Sequence, residues 1–70
     1  MNITYTLHAE EQIKERNVIK EWVEETIKSP DKIKSDANKH YATKKLDSHV
    51  LKVVYVKQKY IKVITCYFVK

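Results

Sequence analysis

The sequence has 70 residues, a formal net charge of +5 and an isoelectric point near 9.4. A chain of this length is expected to form one small domain, residues 1–70, whose core supplies only about 3 to 5 kcal/mol of net stability. The single cysteine, Cys66, excludes an internal disulfide framework and favours a reducing compartment. No segment approaches the roughly 20 apolar residues of a membrane span, and no signal-peptide pattern is present, so we expect a cytoplasmic protein without membrane association.

The first third of the chain predicts a short strand and two helices. Residues 2–6 alternate polar and apolar side chains, as a strand does. Thr6 or His8 is expected to cap a helix that ends at Asn17, because asparagine tolerates the left-handed conformation. The packing residues of this helix are predicted to be Leu7, Ala9 and Ile13. A second helix is predicted to begin near Lys20 and to end before Pro30.

After Pro30 the apolar residues recur every second position, which predicts four strands. They cover residues 31–35, 40–46, 49–57 and 60–69. The connections are short enough for hairpins, so an antiparallel meander is the expected topology. Because the chain contains no glycine, the loops are expected to rely on Asn38, Asp47 and Ser48. The predicted fold is therefore α+β in two layers: an N-terminal strand, two helices and a four-stranded meander.

Both faces of the last two strands are apolar. In residues 49–57 the predicted faces are Leu51, Val53 and Tyr55 against Val50, Val54 and Val56. In residues 60–69 they are Ile61, Val63, Thr65 and Tyr67 against Ile64, Cys66 and Phe68. Two helices cover only one face of a sheet, so the other face is expected to contact a partner protein or a second copy of the chain, or to form an aromatic-lined groove, unless the sheet curls over it.

Positive charge is concentrated in the second half of the chain. Residues 1–30 contain six acidic and four basic residues, whereas residues 31–70 contain three acidic residues and ten lysines. Such a field favours RNA, DNA or an acidic partner. The alternative is that the lysines keep a small protein soluble and its strand edges unpaired.

The residue types favour metal-independent chemistry. The three histidines fall on different predicted elements without carboxylates at ligand spacing, so neither a metal site nor a cofactor is expected. Cations, imidazoles and tyrosines are suited to cleaving RNA through its own 2′-hydroxyl. His8 would serve as base or acid, and Arg16 would hold a phosphate. Each also has an ordinary structural role, His8 as a cap and Arg16 at a helix C-terminus.

Three segments together resemble the DUF4258 family. They are "LHAEEQIKERNV", "WVEETIKSPDKI" and the pair "LKVVYV" with "KVITCY". The resemblance extends from His8 to Tyr67, and it implies a RelE-like fold related to the RelE/barnase-like toxin ribonucleases. The site that it implies consists of His8, Arg16, Thr65 and Tyr67. The sequence departs from the family pattern at Gln12, where a second arginine is common, and at Ile19, where a polar cap is common.

Two classes of function follow. The first is a toxin-like ribonuclease that cleaves RNA without a metal and binds its backbone through the basic meander, at Lys44, Lys45, Lys52 and Lys62. The second is a non-catalytic module that binds RNA or protein, as a homodimer or with an antitoxin-like partner. A structural or accessory role is a third alternative.

Overall fold

A computed structural model describes residues 2–69, which form two helices and a five-stranded mixed sheet. The elements are β1 (Ile3–Tyr5), α1 (Leu7–Glu15), α2 (Lys20–Lys28), β2 (Lys32–Asp36), β3 (Lys39–Leu46), β4 (His49–Lys57) and β5 (Ile61–Val69). The strand order is β1-β5-β4-β3-β2, with β1 parallel to β5 and every other pair antiparallel. The predicted α+β fold and the antiparallel meander are confirmed.

Helix α1 begins at a side-chain cap that also attaches it to the sheet. The Thr6 hydroxyl accepts a hydrogen bond from the Ala9 backbone N–H at 3.0 Å and donates one to the Ile64 carbonyl at 3.1 Å. Ala9 and Ile13 are buried as predicted, but Leu7 is 77% exposed, so its predicted packing role is wrong. Successive helical residues are rotated by about 100°, which places Leu7 almost opposite Ala9 on the helix.

Both helices begin and end close to the residues that the sequence predicts. Asn17 follows α1 in the left-handed conformation, with φ of 55°. Helix α2 begins at Lys20 without a side-chain cap from Ile19, and its last turn is closed by the Ser29 N–H, which donates to the Glu25 carbonyl at 2.8 Å.

A tight turn joins β2 to β3, and another joins β3 to β4. The first turn contains Asn38, as predicted, but its left-handed residue is Ala37, with φ of 56°. The second turn uses Asp47, as predicted, with φ of 55°. These turns fix a continuous register in which, for example, Ala42 lies opposite Ile33 on one side and Val53 on the other.

A β-bulge in β5 changes which residues share a face. Val54 pairs with Thr65 and Tyr55 pairs with Val63, so Ile64 is an extra residue between them. The predicted grouping of Thr65 and Tyr67 with Ile61 and Val63 is therefore wrong, because strict alternation does not continue through a bulge. On the helix-covered side the β5 residues are Ile61, Val63, Cys66 and Phe68.

The core lies between the two helices and one face of the sheet. Its buried members include Ala9, Ile13, Val18, Val23, Ile27, Ala42, Leu51, Val53, Tyr55, Ile61, Val63 and Cys66. Since directly paired residues project to the same side of a sheet and neighbours along a strand alternate, the register identifies the side chains of the opposite face. Neither α1 nor α2 covers that face. No helix within residues 2–69 is long and apolar enough to cross a membrane.

Candidate nucleic-acid interface

Four rows of side chains cross the uncovered face of the sheet from β2 to β5. The rows are Asp36, Lys39, Val56 and Lys62; Lys34, Tyr41, Val54 and Thr65; Lys32, Thr43, Lys52 and Tyr67; and Lys45, Val50 and Val69. We call this set of residues the basic sheet face. It combines ammonium groups, two phenol rings and small apolar side chains on one surface.

Charge separates between the two sides of the molecule. The basic sheet face carries Lys32, Lys34, Lys39, Lys45, Lys52 and Lys62. Among its rows Asp36, at the end of β2, is the carboxylate, and Asp31, just before β2, lines a depression on the same side. All the glutamates of the chain belong to the two helices; they are Glu10, Glu11, Glu15, Glu21, Glu24 and Glu25. The uncovered side of the sheet is therefore richer in positive charge than the side with the helices.

Two neighbouring depressions lie on this face. The first has a volume of about 380 Å³, and Val50 and Val69 are among the residues that line it. The second has a volume of about 300 Å³ and is lined by the Tyr41 ring. The two depressions share Lys32, Thr43 and Lys52, which form a single row of the sheet.

An ammonium group already rests on one of the two tyrosine rings. The Lys52 Nζ lies 5.7 Å from the centroid of the Tyr41 ring, within the range of a cation–π contact. The ring is therefore accessible from the open side and offers a face to a planar or cationic group.

Three of the four lysines predicted to bind RNA lie on the basic sheet face: Lys45, Lys52 and Lys62. Lys44 does not. It pairs with the core residue Leu51, and its Nζ donates a hydrogen bond to the Ser29 carbonyl at 2.8 Å. Lys44 and Lys45 are consecutive in a strand, so they point to opposite sides.

Sequence reasoning did not identify Lys32, Lys34, Lys39, Tyr41 and Thr43 as residues of this face. The sequence signal for these residues was their spacing of two within β2 and within β3, which places residues of one strand on the same face. Lys32 and Lys34 are two apart in β2, as are Tyr41 and Thr43 in β3, and the register pairs Lys34 with Tyr41 and Lys32 with Thr43. The hairpin register, which the turn at Ala37 fixes, was needed to align them.

The structure does not gather the four predicted catalytic residues into one site. Thr65 and Tyr67 lie on the basic sheet face, opposite Val54 and Lys52. His8 and Arg16 lie at the two ends of α1, which packs through Ala9 and Ile13 against the other side of the sheet. None of the four residues lines either of the two depressions of the basic sheet face.

Arg16 acts electrostatically on the core side of β5. Burial raises the pKa of the Cys66 thiol, and the positive charge of Arg16 opposes part of that rise. Cys66 is fully buried, so this effect concerns a packed thiol and not a reactive surface group.

The remaining histidines also lie on the helix side of the sheet. His40 pairs with Tyr55, with ring centroids 5.1 Å apart, and its Nδ1 shares a hydrogen bond with the Ser35 hydroxyl at 2.8 Å. The His49 ring lies 5.4 Å from that of Phe68. Within residues 2–69, no group of three His, Cys, Asp or Glu side chains is placed to hold a metal ion.

Comparison with known proteins assigns the class. Residues 5–68 match the DUF4258 family, described as a domain of unknown function. The match covers most of the chain, so this protein belongs to the DUF4258 family. No curated protein matches the chain. No solved structure matches it.

Proposed function

We propose that this protein binds RNA on the basic sheet face. The observation that carries the proposal is the register of β2 to β5, which places six lysines and two tyrosines on the one face that neither helix covers. Ammonium groups neutralise phosphates and release condensed counterions, so binding is expected to weaken as salt rises. Tyrosine rings provide stacking surfaces for bases.

The same charge distribution selects among protein partners. Two basic sheet faces would repel each other, so a homodimer through this face is disfavoured. An acidic protein of the antitoxin type would complement the face and would compete with RNA for it. The partner that we propose is therefore an acidic chain and not a second copy.

The test is fluorescence anisotropy with a labelled RNA at a series of salt concentrations. Lys52→Ala is expected to weaken binding and to lower the slope of log affinity against log salt by about 0.7 for each phosphate contact that is lost. Lys14→Ala, on α1, is the matched control and should leave both quantities unchanged. Binding that is independent of salt, or equal effects of the two variants, would contradict the proposal.

Metal-independent RNA cleavage, as in the RelE/barnase-like toxin ribonucleases, is the second candidate. Its supporting observation is that the side chain of Tyr67 lies directly beside Lys52, with Thr65 two residues before it in the same strand. In such a reaction the 2′-oxygen attacks phosphorus, the bond to the 5′-oxygen breaks, and a 2′,3′-cyclic phosphate forms. The proton of the 2′-hydroxyl must leave, the 5′-oxygen must gain one, and nearby cations stabilise the charge that develops on phosphorus.

Cleavage can be separated from binding by product analysis. If the candidate is correct, RNA incubated with the protein in a metal chelator yields fragments that end in a cyclic phosphate. Tyr67→Phe is expected to slow cleavage about tenfold or more with little loss of binding, whereas His8→Ala, on the other side of the sheet, should have little effect. Intact RNA at saturating protein would rule out this candidate and leave RNA binding in place.

A further inference from the structure

We propose that the two depressions of the basic sheet face hold the two bases of one dinucleotide step of single-stranded RNA, with the linking phosphate between Lys32 and Lys52. This inference rests on the proposed RNA binding and specifies its smallest unit. It assigns a different role to each part of the face: apolar and aromatic surfaces for the bases, and one row of ammonium and hydroxyl groups for the phosphate.

The phosphate position follows from the row that both depressions share. Thr43 pairs with Lys32 on one side and with Lys52 on the other. Neighbouring strands are about 4.8 Å apart, so the α-carbons of the two lysines are separated by about 10 Å across Thr43. Two flexible lysine stems of this separation can bring both ammonium groups to one phosphate above the threonine hydroxyl.

A carboxylate lowers the positive potential of the first depression, which is also lined by Lys32, Lys44, Lys45 and Lys52. Asp31 lines that depression, and its Oδ2 accepts a hydrogen bond from the Lys45 backbone N–H at 2.8 Å, which fixes the carboxylate in place. A fixed negative charge repels phosphate but accepts hydrogen bonds from the N–H groups of a base. Together with the apolar side chains of Val50 and Val69, it makes the first depression a base site.

The second depression offers an aromatic surface. The Tyr41 ring lines it, and the Lys52 ammonium now occupies the region above that ring. A base stacked on Tyr41 would take the place of this ammonium, which can then move to the adjacent phosphate. Binding of the base and binding of the phosphate are therefore coupled through Lys52.

The spacing of the depressions requires RNA in which the two neighbouring bases are not stacked on each other. The first depression lies between the rows of Lys45 and Thr43, and the second lies between the rows of Thr43 and Tyr41. Their centres are therefore about two residues apart along β3, which is about 7 Å. That is about twice the 3.4 Å rise per nucleotide in a stacked duplex. Bases in a duplex are also paired and face inward, so a duplex cannot fill the two depressions.

The experiment uses the full chain with a labelled ten-nucleotide pyrimidine RNA, the same RNA annealed to its complement, and two unlabelled competitors. We expect the single strand to bind at least tenfold more tightly than the duplex. A pyrimidine dinucleoside monophosphate should compete at least tenfold better than the corresponding nucleoside 5′-monophosphate.

Substitutions distinguish phosphate binding by the lysines from base binding by Tyr41. Lys32→Ala and Lys52→Ala should each lower the salt slope, whereas Tyr41→Leu should weaken binding of the single strand and leave the slope unchanged. Lys14→Ala and Tyr60→Leu are the controls, since Lys14 lies on α1 and Tyr60 in the turn before β5. Circular dichroism spectra that match the unsubstituted protein show that each variant folds.

The outcomes distinguish this inference from the proposed function. Equal affinity for single strand and duplex, with the lysine effects retained, would leave RNA binding in place and overturn the two-base arrangement. Competition by the mononucleotide as strong as that by the dinucleotide would do the same. Absence of salt-dependent binding to either RNA would overturn both.

Discussion

Tyr5 is a partly buried residue whose phenol oxygen is buried. Its hydroxyl finds no partner among residues 2–69. Burial, followed by the negative charges of Glu24, Cys66 and Glu10, raises its pKa to about 12. The neutral phenol is thus the form that the fold accommodates, and the Lys20 ammonium lies over its ring, 4.7 Å from the centroid.

Because of Tyr5, the stability of the fold is expected to decrease at alkaline pH. A pKa raised above the ordinary value of 10 contributes stability that is fully present below about pH 10 and is lost as pH rises towards 12. Burial raises the pKa values of Tyr55 and Cys66 as well, so they act in the same direction. We expect the free energy of unfolding, measured in urea, to fall from pH 8 to pH 11.

Tyr5→Phe tests the contribution of that phenol. Because the substitution removes an unpartnered buried hydroxyl, stability at neutral pH should be unchanged or higher by up to about 1 kcal/mol. The alkaline fall should be smaller than in the unsubstituted protein. A loss of more than about 1 kcal/mol at pH 7 would show that the hydroxyl makes a stabilising contact. Tyr60→Phe, at an exposed position, is the control.

At the scale of elements, the absence of glycine leaves strain in the turns. Ala37 adopts φ of 56° in the turn between β2 and β3, a conformation that costs a residue with a β-carbon about 1 kcal/mol or more. Ala37→Gly is therefore expected to stabilise the protein by up to about 1 kcal/mol, after the entropy cost of glycine is subtracted.

A neighbouring substitution controls for chain flexibility. Asn38 follows Ala37 in the same turn and is not among the residues with positive φ. Asn38→Gly should therefore give no gain, and chemical denaturation of both variants checks the difference. Stabilisation by Asn38→Gly and not by Ala37→Gly would contradict this assignment of the turn.

The bulge in β5 is the element that sets the composition of both sheet faces. It allows Val63 and Cys66, three residues apart, to enter the same core, and it directs Thr65 and Tyr67 to the basic sheet face. Bulges accentuate local twist and re-aim side chains. Without it, strict alternation would place Thr65 beside Val63 in the core.

At the scale of the whole molecule, a small core is combined with a strongly polarised surface. A domain of this size has little stability in reserve, so a ligand that binds only the folded state should raise its melting temperature measurably. At a ligand concentration one hundred times the dissociation constant, the expected gain is about 2.7 kcal/mol.

Thermal unfolding of the complex is therefore a direct readout of RNA binding. Single-stranded RNA at low salt should raise the melting temperature by about 10 °C or more, and high salt should abolish the increase. Lys52→Ala should reduce the increase, and Lys14→Ala should not. An unchanged melting temperature at saturating RNA would mean that the folded and unfolded chains bind RNA equally or not at all.

The amino-acid sequence by itself determined the order of elements, the ends of both helices and the basic character of the second half of the chain. Local signals were sufficient there: hydrophobic period, the threonine cap, Asn17 and Pro30 all act within a few residues. The family was also recognisable from the sequence, on short segments that the match over residues 5–68 confirms.

Tertiary structure alone decided which side chains share a surface. A single extra residue at Ile64 reverses the alternation of β5, and consecutive lysines at positions 44 and 45 point to opposite sides of the sheet. The bulge depends on pairing with β4, which hydrophobic period does not encode, and the register of β3 with β4 decides which of the two lysines faces the helices. For that reason His8 and Arg16, prominent in sequence, lie apart from Thr65 and Tyr67, whereas Lys32 and Tyr41 are brought onto the face that we propose binds RNA.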